Sequence, residues 1–206
     1  MLLSKRILEL SEHLMASTRK PKKRIVEKKK NKPSKASVND LEKGAISLGR
    51  PDNPSNLPRV TDILPNEVTG TLNIKAITPA YDPRIIKTGT SYYKQEIEFD
   101  GVDFSDYEDR EHPIPINIAR RARSDSIYSS KLDRDDKVKV SCECRDFFFT
   151  WNYYNHNRAD ALLGKVALYR RKTDTYPERN PGKVPGLCKH LVKLFDQIEK
   201  GGALSR

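Results

Sequence analysis

The chain has 206 residues, enough for one ordinary compact domain or for a smaller domain with long extensions. Apolar residues make up 36% of it and charged residues 33%, which leaves little material for a large core and favours the second option. No apolar run approaches the roughly 20 residues of a membrane-spanning helix, so no membrane partner is expected.

Most of the net charge of +11 is carried by one segment. Residues 19–35 contain ten Lys or Arg and one acid, Glu27, which gives this segment +9 and leaves +2 for the other 189 residues. Such a cationic arm suits phosphates or an acidic partner surface. Its candidate contact residues form two triplets: Lys22, Lys23, Arg24, Lys28, Lys29 and Lys30. No aromatic residues are interleaved to stack on bases, so specific base recognition is not expected.

Residues 1–18 are predicted to form an amphipathic helix, because four apolar residues recur at helical spacing: Leu3, Ile7, Leu10 and Leu14. This helix either packs on its own domain or inserts into a partner subunit. Its early charges interrupt any signal-peptide core, so a non-secreted protein without a disulfide framework is expected. Residues 19–69 show no sustained periodicity and are rich in Pro, Asn and Ser near residues 50–58, which predicts a basic, Pro-rich arm or linker.

Residues 70–206 are predicted to form the folded domain. Residues 71–78 and 92–99 alternate between apolar and polar types, and with residues 114–118 and 138–140 they predict short antiparallel strands. Residues 103–111 are acidic and are expected to form a solvated loop. The predicted fold class is therefore α+β, with a small antiparallel sheet, a C-terminal helix and a long extended N-terminal arm.

All three cysteines fall into one pattern with a histidine. Cys142 and Cys144 directly follow the strand at 138–140, and Cys188 and His190 open a segment with one apolar helical face, ended by Gly201. Three thiolates and one imidazole form the closed tetrahedral shell of a structural zinc site, and a helix N-terminus helps to hold thiolate charge. The alternative is three buried cysteines and an unrelated histidine. His156 is a fifth candidate ligand, but its polar surroundings favour a surface position.

The pattern Cys-X-Cys…Cys-X-His resembles the SWIM zinc finger, a short ββα unit that binds DNA or protein and has no catalytic role. The resemblance implies that Cys142, Cys144, Cys188 and His190 bind Zn²⁺ and that residues 138–200 form the finger. Because 43 residues separate Cys144 from Cys188, more than is usual, the second half of the finger is expected to follow a large insertion.

That insertion is similar to proteins of large tailed phages, in which a Cys-X-Cys-X-Asp-Phe segment precedes an Asn-Pro…Pro-Gly-X-Cys-Lys-His ending. The resemblance covers about residues 95–200 and implies a virion structural protein or a zinc-finger protein. Within the insertion, Phe147, Phe149 and Trp151 are predicted to alternate on one face of a strand and to form a core over the metal. A ligand-binding aromatic cluster is the less favoured alternative.

Nothing in the chain resembles a phosphate loop, a nucleophile elbow or a His-Glu-X-X-His helix, and a closed zinc shell has no open position for a catalytic water. No catalytic residue and no small-molecule substrate are therefore predicted. The leading hypothesis is a zinc-stabilised structural protein of a tailed-phage virion, made in the host cytoplasm, whose partners are other virion proteins. The alternative is a cytoplasmic accessory or regulatory protein that binds nucleic acid through residues 19–35.

Overall fold

The structure, a computed structural model, describes residues 32–49, 57–80, 91–117, 126–166 and 177–205. The helix predicted at residues 1–18 and the basic triplets of residues 22–30 lie outside this part of the chain. In chain order the elements are α1 (Val38–Ser47), β1 (Arg59–Asn66), β2 (Thr71–Pro79), β3 (Tyr92–Asp100), β4 (Phe104–Ser105), β5 (Ile114–Asn117), β6 (Ser126–Ser129), β7 (Val138–Cys142), a π-helical turn (Phe147–Trp151), α2 (Asn152–Ala159) and α3 (Lys189–Lys200).

The main sheet is antiparallel, with the strand order β1-β2-β3-β7. Buried and half-buried residues alternate along β2 and along the second half of β3, because successive side chains of a strand lie on opposite faces. The buried face carries the core residues of three strands: Leu72, Ile74, Ala76, Ile97, Phe99, Val138 and Val140. The strands predicted at residues 71–78, 92–99, 114–118 and 138–140 and the α+β fold class are confirmed.

A second, smaller sheet has the order β4-β6-β5. Its strand β4 lies within residues 103–111, which were expected to form only a solvated loop, and β6 was not predicted. Both strands are too short to show the alternation that identifies a strand in a sequence.

The prediction that residues 19–69 form an arm or linker is wrong for two described segments, α1 and β1, and the compact unit begins at Lys32 rather than at residue 70. Helix α1 begins with a capping box, in which Ser37 and Asp40 each accept a hydrogen bond from the other's backbone N–H. Val38 and Leu41 of this helix are fully buried in the core. The helix is short and closely follows the basic tract, so its apolar spacing is not evident in the sequence.

The prediction of an aromatic strand at residues 147–151 is also wrong, because this segment is a π-helical turn that α2 continues. Its buried residues are Phe147, Thr150 and Trp151, a helical spacing, whereas Phe148 is exposed. A short apolar run is compatible with a buried strand and with a buried helix, so its periodicity alone does not distinguish them.

Helix α3 is confirmed, with its predicted apolar face buried and its end at Gly201. On that face the ring of Phe195 meets the ring of Phe99 edge to face at 6.2 Å, which packs the helix against the main sheet. None of the described helices is long and apolar enough to cross a membrane.

Candidate metal centre

The fold brings the four predicted ligands together at one end of the main sheet. Cys142 is the last residue of β7, and Cys144 follows two residues later. Cys188 is the N-cap residue of α3, and His190 lies in the first turn of that helix. One ligand atom from each residue can be chosen so that all four lie within 4.8 Å of one another. The predicted grouping of these four residues is thus confirmed by the structure.

The spacing of the four atoms fits a single tetrahedral metal ion. The Sγ atom of Cys142 and the Nδ1 atom of His190 are 3.9 Å apart. With metal–sulfur bonds of about 2.3 Å and metal–nitrogen bonds of about 2.0–2.1 Å, tetrahedral geometry separates neighbouring ligand atoms by about 3.5–3.8 Å. A small closure of the cluster would therefore bring the donor atoms to bonding distance. No other group of this kind occurs within the described residues.

Burial of the three thiols gives the cluster unusual electrostatics. Cys142, Cys144 and Cys188 are 7%, 2% and 0% exposed. Burial raises the pKa of Cys142 and of Cys188 well above the ordinary value for a thiol, since a thiolate loses its hydration there. Hydrogen bonds from Cys142, Cys188 and His190 lower the pKa of Cys144. One thiolate is thus stabilised by its neighbours, and a bound cation would offset the cost of burying the other two.

The backbone holds the Cys-X-Cys turn in place. The N–H of Phe147 donates to Sγ of Cys144 at 3.3 Å, a contact that favours the thiolate. The N–H of Glu143 donates to the carbonyl of Lys94 at 3.0 Å, and the N–H of Lys94 donates to the Glu143 carboxylate at 3.2 Å. The first bond extends the pairing of β3 and β7 by one residue, and together the two bonds hold Glu143 between the two cysteines.

The half of the cluster on α3 is held by two buried asparagines, Asn155 and Asn180, that belong to no pattern pointing to this role in the sequence. The side chain of Asn155 accepts a hydrogen bond from the N–H of Gly186 at 2.8 Å and donates to the carbonyl of Gly186 at 3.0 Å. Asn180 accepts from the N–H of Val184 and donates to the carbonyls of Val184 and Thr150. Residues 180–186 are therefore fixed to the π-helical turn and to α2, directly before Cys188.

Close backbone packing fixes the same loop further. A Cβ atom at Gly186 would lie 2.4 Å from the Trp151 ring, and one at Gly44 of α1 would lie 1.8 Å from the carbonyl oxygen of Pro185. Only glycine permits both approaches, because any side chain would overlap these groups. The Pro-Gly of the Asn-Pro…Pro-Gly-X-Cys-Lys-His ending is thus explained by packing around Trp151.

His190 is half-buried, and its ring lies 5.1 Å from the ring of Tyr93 on β3 at an angle of 38°. This contact orients the imidazole, and its Nδ1 atom is the nitrogen near Cys142. His156, the fifth candidate ligand, is exposed on α2 and is not part of the cluster. The preference for a surface position for His156 is confirmed.

No protein-family model matches this chain, and neither a curated protein nor a solved structure matches it. The grouping of the four residues therefore stands on the geometry of this fold. The resemblance to the SWIM finger and to tailed-phage proteins stays a prediction from motifs at residues 142–147 and 180–190.

Proposed function

We propose that the chain is a zinc-stabilised structural protein of a tailed-phage virion that makes protein–protein contacts during assembly, with no catalytic role. The observation that carries the structural role is the donor set, three buried cysteines and one half-buried histidine at a strand end and a helix start. Thiolates with one imidazole select Zn²⁺ over harder ions such as Mg²⁺ or Ca²⁺, and this set is typical of structural sites.

Four protein ligands complete the tetrahedral shell of Zn²⁺, so the bound ion has no position for a water or substrate. The role we propose for the ion is mechanical. It joins β7 to α3, and 43 residues of the chain separate its ligands Cys144 and Cys188. Its binding energy contributes directly to folding, because the unfolded chain has no preformed site.

The assignment to a virion rests on the resemblance of residues 142–147 and 180–190 to tailed-phage proteins. It is tested by mass spectrometry of purified particles from an infection in which the gene is expressed. The chain should be present in constant stoichiometry to a known structural protein and should remain after high-salt washing. Absence from purified particles would contradict the assignment but would leave the metal site in place.

A second candidate function, binding of nucleic acid, is favoured by one observation, the net charge of +9 over residues 19–35. Full-length protein in which Lys22, Lys23, Arg24, Lys28, Lys29 and Lys30 are changed to Gln separates the two candidates. For nucleic-acid binding, the wild type should bind arbitrary DNA with an affinity that falls steeply with salt, and the variant should lose this binding. Binding that is independent of salt or of these six residues would contradict the second candidate.

A further inference from the structure

Beside the metal centre, the π-helical turn and α2 carry a surface that the metal does not use. It consists of four aromatic rings and two guanidinium groups, and we name it the aromatic–arginine surface: Phe148, Phe149, Tyr153, Tyr154, Arg158 and Arg179. The rings form two edge-to-face pairs, Phe148 with Phe149 at 4.9 Å and Tyr153 with Tyr154 at 5.3 Å. Phe148 is 42% exposed and Tyr153 43% exposed.

The π-helical turn changes the relative directions of Phe148 and Tyr153, the two exposed rings of this surface. In a regular α-helix, residues five apart such as Phe148 and Tyr153 point about 140° away from each other. A π-helical turn has more residues per turn, which reduces this angle. The guanidinium of Arg179 lies 5.6 Å from the centre of the Phe149 ring, and Arg158 follows Tyr154 by one helical turn. Exposed Phe, Tyr and Arg side chains in one cluster are typical of protein–protein interfaces.

The charge of this surface defines its partner. Residues 147–159 contain no carboxylate, although Asp146 and Asp160 flank this segment, and the Glu178 side chain accepts a hydrogen bond from the Tyr154 hydroxyl at 3.3 Å. Arg158 and Arg179 are both exposed, and neither has a salt bridge within the described residues. The surface therefore suits a partner that offers an aromatic or apolar side chain flanked by carboxylates.

The same chain offers such a partner in residues 103–111, which we name the acidic loop. It contains five carboxylates and one Arg, and at its centre Tyr107 is 69% exposed between Asp106 and Glu108. Within the described residues, neither of these two flanking carboxylates has a salt bridge.

The acidic loop is held in one shape before any partner binds. The buried ring of His112 contacts Asp109 through Nδ1 at 3.0 Å and Asp103 through Nε2 at 3.3 Å. The Asp109 carboxylate also accepts the backbone N–H groups of Glu111 and His112 at 2.8 Å each. A loop that is already ordered loses less conformational entropy on binding, which favours its use in recognition.

The two surfaces lie at opposite ends of strand β3. At the start of β3, the ring of Tyr93 contacts the ring of His190 in the metal centre. The π-helical turn begins beside the same centre, where the N–H of Phe147 donates to Sγ of Cys144. At the other end, Asp100 is followed by the acidic loop, and nine residues of strand span about 27 Å. Because the aromatic–arginine surface and the acidic loop lie at opposite ends of this strand, they can meet most directly when they belong to two copies of the chain.

From this complementarity we infer that the aromatic–arginine surface of one copy binds the acidic loop of a second copy, in a head-to-tail contact. Such a contact leaves one free surface at each end, so it generates rings or open chains rather than a closed dimer. The inference deepens the proposed function and rests on it, because repeated self-contacts are what a virion structural protein needs for assembly.

The test uses two charge-reversed variants of the full chain, both loaded with zinc. The surface variant carries Arg158→Glu and Arg179→Glu, and the loop variant carries Asp106→Lys and Glu108→Lys. A control variant, Lys43→Glu with Lys165→Glu, reverses two exposed positive charges outside both surfaces. Self-association is measured by sedimentation equilibrium over a range of protein and salt concentrations, and circular dichroism checks that each variant is folded.

The wild type and the control should associate, more weakly at high salt, and each test variant should associate at least about tenfold more weakly. An equal mixture of the two test variants is the decisive sample, because it contains one intact surface and one intact loop. It should associate more strongly than either test variant alone at the same protein concentration, because the intact surface of the loop variant can bind the intact loop of the surface variant.

A wild-type monomer at all concentrations, or a mixture that stays monomeric, would overturn the inference. So would a surface variant that lost affinity for oligonucleotides while its self-association was unchanged, since the surface would then bind nucleic acid. Presence in particles without self-association would overturn only the inference. Self-association with absence from particles would overturn only the virion assignment.

Discussion

Replacing Gly186 by Ala tests how closely the metal centre depends on the loop that precedes Cys188. A Cβ atom at this position would lie 2.4, 2.8 and 3.0 Å from three atoms of the Trp151 ring, which is fully buried. The ring is rigid and surrounded by core, so the loop must move instead. Overpacking of this kind costs typically about 1–3 kcal/mol, and three simultaneous overlaps with one immobile ring favour the upper end, about 3 kcal/mol.

A loss of about 3 kcal/mol in a domain of this size lowers Tm by about 6–12 °C. Because Gly186 is two residues from Cys188, displacement of the loop should also weaken binding of the proposed Zn²⁺, measured by competition with a chromophoric chelator. The matched control is Gly182→Ala, whose Cβ would meet nothing closer than a Val184 methyl at 3.7 Å. That substitution should leave Tm unchanged or raise it slightly, because Ala restricts the unfolded chain. Equal Tm values for the two variants would refute the packing argument.

Two further predictions concern Asn155 and His112. Asn155→Ala leaves the buried N–H and carbonyl of Gly186 without their partner. The free energy of unfolding, measured in urea, should therefore fall by about 3 kcal/mol. The control Asn157→Ala, at an exposed position of the same helix, should cost less than about 0.5 kcal/mol. Equal losses would contradict a role for Asn155 in holding the loop. Burial lowers the pKa of His112, but hydrogen bonds to Asp109 and Asp103 outweigh it and raise the pKa above its ordinary value. The protonated ring therefore stabilises the fold fully below the ordinary histidine pKa of about 6.5, and this stability is lost as pH rises through the higher folded-state value. The wild type should have a higher urea midpoint than His112→Gln, and this difference in midpoint should shrink between about pH 6 and pH 8. A difference that stayed constant or grew would contradict the stabilising contact of His112 with Asp109 and Asp103.

The sequence was most informative where the residue pattern has a single physical meaning. The Cys-X-Cys motif after a predicted strand and the Cys-X-His motif at a predicted helix start identified the whole cluster. Few arrangements other than a metal site place all three cysteines of a chain in one such pattern. Strands β2 and β3 were predicted because each has one buried face, so their residue types alternate. Helix α3 was predicted because it also has one buried face, so its apolar residues recur at helical spacing.

The remaining features depend on contacts that a sequence does not display. Residues 147–151 are apolar except for Thr150, and their helical form buries Phe147 and places the Trp151 ring against Gly186. The capping box of helix α1 is visible in the sequence as Ser37 and Asp40, but the neighbouring lysines favour a solvated arm. Nothing in the sequence indicates that Asn155 bonds a backbone 31 residues away.

The central claim, that one Zn²⁺ joins β7 to α3 through Cys142, Cys144, Cys188 and His190, is tested most directly by metal analysis of the purified full-length chain. The account predicts one equivalent of zinc per chain, with Co²⁺ substitution giving the absorption of a tetrahedral site with three thiolates. Cys188→Ser should lose the metal and the cooperative unfolding of the domain, while His156→Ala retains both. A folded wild type that binds no zinc, or a Cys188→Ser variant that still binds one tight equivalent, would contradict the claim.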